Sequence, residues 1–416
     1  MRLRIPPALH HRRYFYIWLG LLISIAGSQM QVAALHWHIR TLTSEPNPLA
    51  LGGIGLARIL PIVLFSFIGG PVADTFNRRG ILFITQSVMA LTALGLALLS
   101  FSGHITLWLI YLLTAVQATA QAFDSPARQA MIPNLVPAED LPNAFSMSSI
   151  AMNAGSIVGP ALSGIVIATL GLGYTYLFNA ISFLAVILAL ALIGPVFQDT
   201  RKAPGINLAA MADGIRFIVR KPIILSTMLM DFVATFFASA NTMMPIVAKD
   251  ILKVSEIGYG WLSSAQAIGS VAAGVVVSQV QKLRKQGPIF LIAVVIFGSA
   301  TVLFGATSAF AIAMLALILM GAADAVSTII RNTIRQLNTP DHIRGRMTAV
   351  NQIFFQGGPQ LGEVESGIVA SLFGVPAAII SGGIGCIVGT ALIVLKWPQL
   401  RIYNGDEHLQ AKAPAD

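Results

Sequence analysis

The sequence predicts an all-α integral membrane protein whose twelve transmembrane helices form two pseudo-symmetric six-helix bundles. Three observations predict it. Of 416 residues, 56% are hydrophobic and only 10% are charged, with a mean hydropathy of +0.77. A water-facing protein carries roughly 25% charged residues, so an ordinary soluble enzyme is excluded. Apolar runs near the roughly 20 residues needed to cross a bilayer recur along the whole chain, and polar landmarks of the first half return in the second.

The first run, about 15–36 by its apolar pattern, follows Arg2, Arg4, Arg12 and Arg13. Ala26-Gly27-Ser28 is a poor cleavage site, so the run is read as a retained helix and not a secretory signal. Five more follow at about 49–73, 81–101, 105–127, 143–168 and 174–197, and six after the midpoint at about 222–245, 256–280, 288–307, 309–330, 345–371 and 374–396. The expected organisation is an N-terminal bundle over 1–197, a cytoplasmic linker over 198–221, a C-terminal bundle over 222–398 and a cytoplasmic tail over 399–416. Within the linker, Gly214 to Lys221 reads as a short basic amphipathic helix at the membrane surface.

The formal net charge of +9 has to be read by position. With both termini inside, the cytoplasmic segments hold 22 Lys and Arg, the helix-ten end from Arg331 to Arg346 among them, while the outer loops hold three, Arg40, Lys249 and Lys253. That bias predicts an N-in, C-in topology and removes any need for a nucleic-acid partner. The halves also echo each other. Gly70-x-x-x-Asp74-x-x-x-Arg78 corresponds to Gly274-x-x-x-Ser278-x-x-x-Lys282 at an offset of 204, and Arg128 with Pro137 to Arg331 with Pro340 at 203. Such a six-plus-six repeat is how many secondary transporters are built.

Polar residues inside a span are costly unless they meet a partner or a watery cavity. Helix one carries Ser24, Ser28 and Gln31; helix four Thr114, Gln117, Gln121 and Asp124; helix seven Thr227, Asp231, Thr235 and Ser239; helix ten Asp324, Ser327, Thr328 and Arg331. Each set follows helical spacing. Singly these residues read as helix-to-helix hydrogen bonds; together, on symmetry-equivalent helices, they point to a shared cavity. Helix eleven adds Gln352, Gln356, Gln360 and Glu363 on one face. At about 100° per residue Glu365 points elsewhere, with Gly358 and Gly362, so Glu363 is expected on the wet face and Glu365 in a packed one. Arg58 of helix two lies at the same depth as both acids, which suggests either an outer gate or a static ion pair.

Two further segments bear on movement. Helix five reads Gly155-x-x-x-Gly159-Pro160-x-x-Ser163-Gly164; its small residues allow close contact, for which Ala265, Gly269 and Ala273 of helix eight offer matching spacing, and Pro160 loosens the helix. The turn Gly69 to Gly80 places Asp74, Arg78 and Arg79 between helices two and three. Arg78 can reach a carboxylate, and Asp124 is the expected partner; the alternative is a merely basic loop.

These motifs resemble the major facilitator superfamily over roughly residues 14 to 398. In that family the acid and arginine of the Gly70 to Arg79 segment form a cytoplasmic latch, and the Gly155 to Gly164 run resembles the helix-five motif of antiporters and exporters. Phe123 to Gln129, Glu139 to Ala144 and the Gly358-Pro359-x-x-Gly362-Glu363 region resemble the siderophore-exporter branch, whose best known members export enterobactin. Ser278 stands where the second half should carry an acid, so the latch is expected to be one-sided. The sugar-porter Pro-Glu-Ser-x-Arg pattern is absent.

The resemblance and the intramembrane acids together imply a secondary exporter of small amphiphilic molecules, siderophore- or drug-like, working by proton antiport in the bacterial cytoplasmic membrane as a monomer. Asp231, Asp324 and Glu363 are the candidate proton sites, since a carboxyl taken out of water holds a proton more readily. Arg58, Gln31, Gln117, Gln121, Gln356, Gln360 and Glu365 are the further candidate binding residues. Arg128 joins Gly70, Asp74, Arg78, Arg79, Asp124, Gly155, Gly159, Pro160 and Gly164 as candidate gating residues. A facilitator-type importer or symporter is the alternative; a membrane enzyme or scaffold explains less. No metal or cofactor is expected. The single Cys386 excludes an internal disulfide, the seven histidines fall at termini or helix ends, and no Gly-x-x-x-x-Gly-Lys-Ser/Thr loop is present to use ATP.

Overall fold

The computed structural model describes residues 6–196, 208–238, 240–280 and 284–405. Among the described residues it is all-α, with no strand and twelve long helices. In the first half these are α1 (Arg12–Leu42), α2 (Pro48–Thr75), α3 (Arg78–Phe101), α4 (Leu107–Met131), α5 (Leu141–Thr169) and α6 (Leu172–Ile193). A linker helix spans Leu208–Arg220. The second half holds α7 (Pro222–Phe237), continued by a 3₁₀ turn Ala240–Met243 and a wider π turn Val247–Ile251, then α8 (Glu256–Ser278), α9 (Gln286–Ala306), α10 (Phe310–Leu337), α11 (Asp341–Phe373) and α12 (Val375–Lys396).

Ten helices are long and apolar enough to cross a membrane by length and composition among the described residues. The other two, α4 and α11, carry the densest polar stripes, with Gln117, Gln121 and Asp124 on one and Gln352, Gln360, Glu363 and Glu365 on the other. Their side-chain distribution follows a lipid environment: Leu91, Leu188, Leu372 and Leu395 are exposed by 60% or more, while Gln31, Asp231 and Arg331 are exposed by 2% or less. Apolar groups face hydrocarbon and polar groups find partners inside.

The repeat is visible in the packing. Helix α1 packs on α5 and α6, and α3 on α4 and α6; in the second half α7 packs on α11 and α12, and α9 on α10 and α12. The tight corners match too. Gly171 between α5 and α6 and Gly374 between α11 and α12 both adopt positive φ, 99° and 88°, a conformation that costs glycine nothing.

The chain forms two compact units. One comprises Met1–Glu45, Ala57–Ile206 and Val254–Ser264; the other comprises Pro46–Leu56, Asn207–Lys253 and Ala265–Asp416. The start of α2 therefore belongs with the second unit, and the first turns of α8 with the first.

Two helices overrun their expected ends. Helix α1 continues to Leu42, so His36 and His38 sit inside a helix, each 6% exposed. The expectation that every histidine lies at a terminus or helix end is corrected: the Tyr176 hydroxyl, 2.9 Å from His38 Nδ1, gives that ring a buried partner. Helix α10 continues to Leu337, which carries Arg331 and Arg335 inward, 2% and 3% exposed. These two were expected among the loop cations that set topology, and they are not loop residues.

Candidate functional site

In the second unit, burying Arg331 and Arg335 on α10 requires carboxylates, and α7 supplies the first. Arg331 Nη2 lies 2.9 Å from Asp231 Oδ1, with Asp231 only 1% exposed. The same nitrogen lies 3.5 Å from Oδ1 of Asp324, two turns back on α10, whose side chain is 45% exposed. Arg331 also donates to Ser327 Oγ at 2.9 Å and to Thr328 Oγ1 at 2.7 Å. Arg335 Nη1 is 4.0 Å from Asp231 Oδ2; its guanidinium donates to Asn351 of α11 and, at 2.7 Å, to Asn332. One guanidinium is thus shared between a sealed acid and an acid whose side chain is partly exposed. Of the expected helix-seven stripe Asp231 meets the helix-ten stripe here, whereas Thr227 and Thr235 donate to carbonyls of their own helix; Ser239 and the side chain of Gln356 lie outside the described residues.

In the first unit the stripes of α1 and α4 meet as a chain of amides. Gln31 Nε2 donates to Gln117 Oε1 at 2.6 Å, Asn179 Nδ2 of α6 donates to Gln31 Oε1 at 2.6 Å, and Ser182 Oγ donates to Asn179 Oδ1 at 2.9 Å. Gln121, one turn beyond Gln117, is exposed.

The expected pairing of Arg78 with Asp124 is corrected. Asp124, 2% exposed, accepts from Thr85 Oγ1 at 3.1 Å and Gln86 Nε2 at 2.7 Å, both on α3, and lies 3.4 Å from Arg128 one turn along α4. Arg78 instead lies 3.6 Å from Asp74, and its Nη1 donates to the Ala130 carbonyl at 2.8 Å and to Asn134 at 3.0 Å, capping the end of α4. Helix ends leave carbonyls without partners, and a cation there meets the negative end of the helix dipole. Arg79 does the same for α6, donating to the Leu190 carbonyl at 2.8 Å. The close approach in this segment is made by Gly69, against the Ala122 carbonyl; an added Cβ on Gly70 would meet nothing within 4 Å.

The small-residue contacts also differ from expectation. Gly155 and Gly159 abut α1 at Ile25, Ala26 and Gln29. Gly164 and Pro160 meet the first turns of α8 at Gly260, not the Ala265-Gly269-Ala273 face, and Ser264 Oγ donates to the Ile157 carbonyl at 2.7 Å. Gly269 packs instead on Ile318 of α10.

On α11 the acid expected on the wet face, Glu363, is the buried one. Glu363 is 9% exposed, and a Cβ added to Gly55 would lie 2.9 Å from its Cβ, while one added to Gly52 would lie 2.9 Å from its carbonyl. The Gln360, Glu363 and Gly367 face is therefore packed against the start of α2, where successive glycines remove the side chains that would otherwise hold it off. Glu365 is half-buried beside Ser366. Arg58 is half-buried in the first unit, electrostatically coupled to His36.

Against known sequences, the profile of a family described as transmembrane secretion effector matches residues 6–414. The chain belongs to that family of major facilitator transporters. It is 25% identical over 388 residues to the multidrug efflux pump Tap of Mycolicibacterium fortuitum, covering 90% of this chain and 93% of Tap. It is 24% identical over 396 residues to the enterobactin exporter EntS of Salmonella choleraesuis, covering 95% and 94%. Among solved structures, a bacterial homologue of the human lysosomal transporter Spinster, inward-facing and occupied, superposes with a TM-score of 0.74 at 14% identity, covering 97% of this chain and 99% of that one. A POT family transporter in complex with 5-aminolevulinic acid gives 0.70 at 11% identity, covering 92% and 96%. These likenesses show the fold.

The protein is thus a multi-pass membrane transporter and not an enzyme. Several of this transporter's polar contacts had a sequence signal that went unused. Asn179 is an amide within the sixth apolar run, Thr85 and Gln86 are polar neighbours in the third, and Arg335 stands four residues after Arg331. In-membrane polar groups are functional candidates by default, and all four meet that criterion.

Proposed function

We propose that this transporter exports small amphiphilic organic molecules, siderophore- or drug-like, by alternating access in exchange for protons, with both termini on the cytoplasmic side of a bacterial inner membrane. The observation that carries the reading is the single Arg331 guanidinium divided between sealed Asp231 and partly exposed Asp324. A proton taken by Asp324 leaves Arg331 to Asp231 alone; releasing it restores the competition. Such a two-acid contest is a bistable element that an ion can bias. The polar stripes of α1 and α4, with Gln31, Gln117 and Gln121, and of α7 and α10 handle the ligand in this reading. The Gly69 to Arg79 segment and Asp124 with Arg128 regulate one side. Exporters among the relatives, Tap and EntS, support the direction and the ligand class.

The test is transport in proteoliposomes of purified protein under an imposed pH gradient, across a panel of catecholate siderophores and aromatic dyes. Proton exchange predicts that movement collapses with the gradient and that Asp324→Asn abolishes the gradient dependence while downhill exchange of the same compound persists. Gradient-independent movement by the unmodified protein would overturn the antiport reading in favour of a facilitator.

A further inference from the structure

The linker helix carries charge and apolar surface that the transport reading does not use. Along the linker helix, six of the described residues form three stripes, with Phe217 packed beside the buried one. Gly214 and Ile218 are buried; Ile218 clusters with Met347 and Val350 of α11 and Ile224 and Met228 of α7. An added Cβ on Gly214 would lie 3.1 Å from the Arg346 carbonyl, so the missing side chain lets the linker helix lie directly on α11. Next around the helix come Ile215 and Val219, one turn apart, 47% and 60% exposed. Beyond them stand Arg216 and Arg220, also one turn apart, with Lys221 following, all exposed.

An exposed apolar stripe beside an exposed basic stripe is the pattern of a helix lying in a membrane interface, its aliphatic side chains at the acyl boundary and its cations at headgroup level. Asp213 is the acid these cations meet: it lies 3.3 Å from Arg216 Nη1 and 3.2 Å from Arg346 Nη1, so one carboxylate faces two guanidiniums. Among the described residues, Arg216, Arg346, Arg220 and Lys221 therefore outnumber Asp213 on this face, and an anionic surface complements it.

We propose that this face binds the phosphate headgroups of anionic phospholipids, phosphatidylglycerol being the simplest, with Ile215 and Val219 among the acyl chains. Headgroup phosphate competes with Asp213 for Arg216 and Arg346. Because Arg346 stands in the first turns of α11, the lipid occupies a point from which the lie of α11 is set. The site is part of the chain's own docked linker and does not depend on what is transported.

The experiment uses the full chain in nanodiscs, with Cys386→Ser and Val219→Cys carrying a polarity-sensitive fluorophore. Discs of phosphatidylcholine alone are compared with discs containing increasing phosphatidylglycerol, with brominated acyl chains as quenchers. Binding predicts a blue shift and quenching that grow with the phosphatidylglycerol fraction and weaken in high salt, which screens exposed charge. A basic residue near an anionic surface is worth about fivefold in partitioning, so R216Q/R220Q should need roughly 25-fold more anionic lipid for the same response, while R216K/R220K should retain it. Both variants alter exposed side chains, and unchanged elution as a single folded species confirms that the comparison is fair. A response equal in phosphatidylcholine and phosphatidylglycerol, or unaltered in R216Q/R220Q, overturns the proposal. So does the same shift produced by millimolar inorganic phosphate in phosphatidylcholine discs, which would make the ligand a soluble anion.

Discussion

Replacing Asp231 by Asn should destabilise the transporter by about 3 kcal/mol, and replacing Asp324 by Asn by less than about 1 kcal/mol, although both acids touch the same Arg331. The asymmetry follows from burial. Asp231 and Arg331 are 1% and 2% exposed and 2.9 Å apart, where the gross attraction is roughly 6 kcal/mol at an effective dielectric near 20. Desolvation cancels much of that attraction in the intact pair. Deleting one partner leaves the other charge buried without its counterion, which typically costs 3–5 kcal/mol. Arg331 keeps Ser327, Thr328 and Asp324, so the lower end applies. Asp324, 45% exposed, is screened by water, and its loss is that of a surface pair. The readout is built into the chain: Cys386 is the single cysteine and is 0% exposed, so a thiol-reactive fluorophore reports thermal unfolding in detergent. Asp231→Asn should shift the transition down by several degrees and Asp324→Asn hardly at all, and adding Arg331→Met to Asp231→Asn should recover part of the loss because the orphaned cation goes with it. Equal shifts for the two acids, or no recovery in the double variant, would refute the reasoning.

Two further outcomes are expected. Glu363→Leu should lower the yield of folded protein more than Glu365→Leu, since Glu363 fills the interface at Gly52 and Gly55; comparing monodisperse yield by fluorescence-detected gel filtration decides, and the opposite order would return Glu363 to a wet face. Asp124→Asn should lower thermal stability by about 1.5–3 kcal/mol, the scale of hydrogen bonds to a charged group, because Thr85, Gln86 and Arg128 all use that carboxylate, whereas Asp74→Asn should leave stability nearly unchanged and strongly reduce transport.

The fold was legible because it rests on local quantities. Apolar run length places twelve helices, and a positional echo such as Arg128 with Arg331 reveals the repeat without any contact being known. Partner choice was not legible to the same degree, because it depends on which helix faces meet in space. Arg78 and Asp124 are both polar and close in depth, yet Arg78 finds carbonyls at the end of α4 while Asp124 finds hydrogen-bond donors on α3. Glu363 was assigned from the periodicity of its own helix, which says which residues share a face and not what covers that face. The glycines at 52 and 55 held that information, but they stand about three hundred residues from Glu363 in sequence, so nothing local links them.

The two halves spend equivalent positions differently, and that difference is where function and stability separate. Arg128 and Arg331 stand at matching places in the repeat. On α4 the arginine stays partly exposed, 3.4 Å from an acid of its own helix that is also hydrogen-bonded to α3. On α10 the arginine is buried and reaches a different helix, α7, while a second acid on its own helix remains partly exposed. The first arrangement has one carboxylate with every interaction satisfied, so protonating it only weakens the unit. The second has one cation between two carboxylates of unequal access, so protonating the open one redistributes an interaction without orphaning a charge. A proton can therefore change the second unit's internal contacts at small cost, and the first unit's only at large cost. On that physical ground we propose that the coupling chemistry lies with α7 and α10 rather than with the acid of α4.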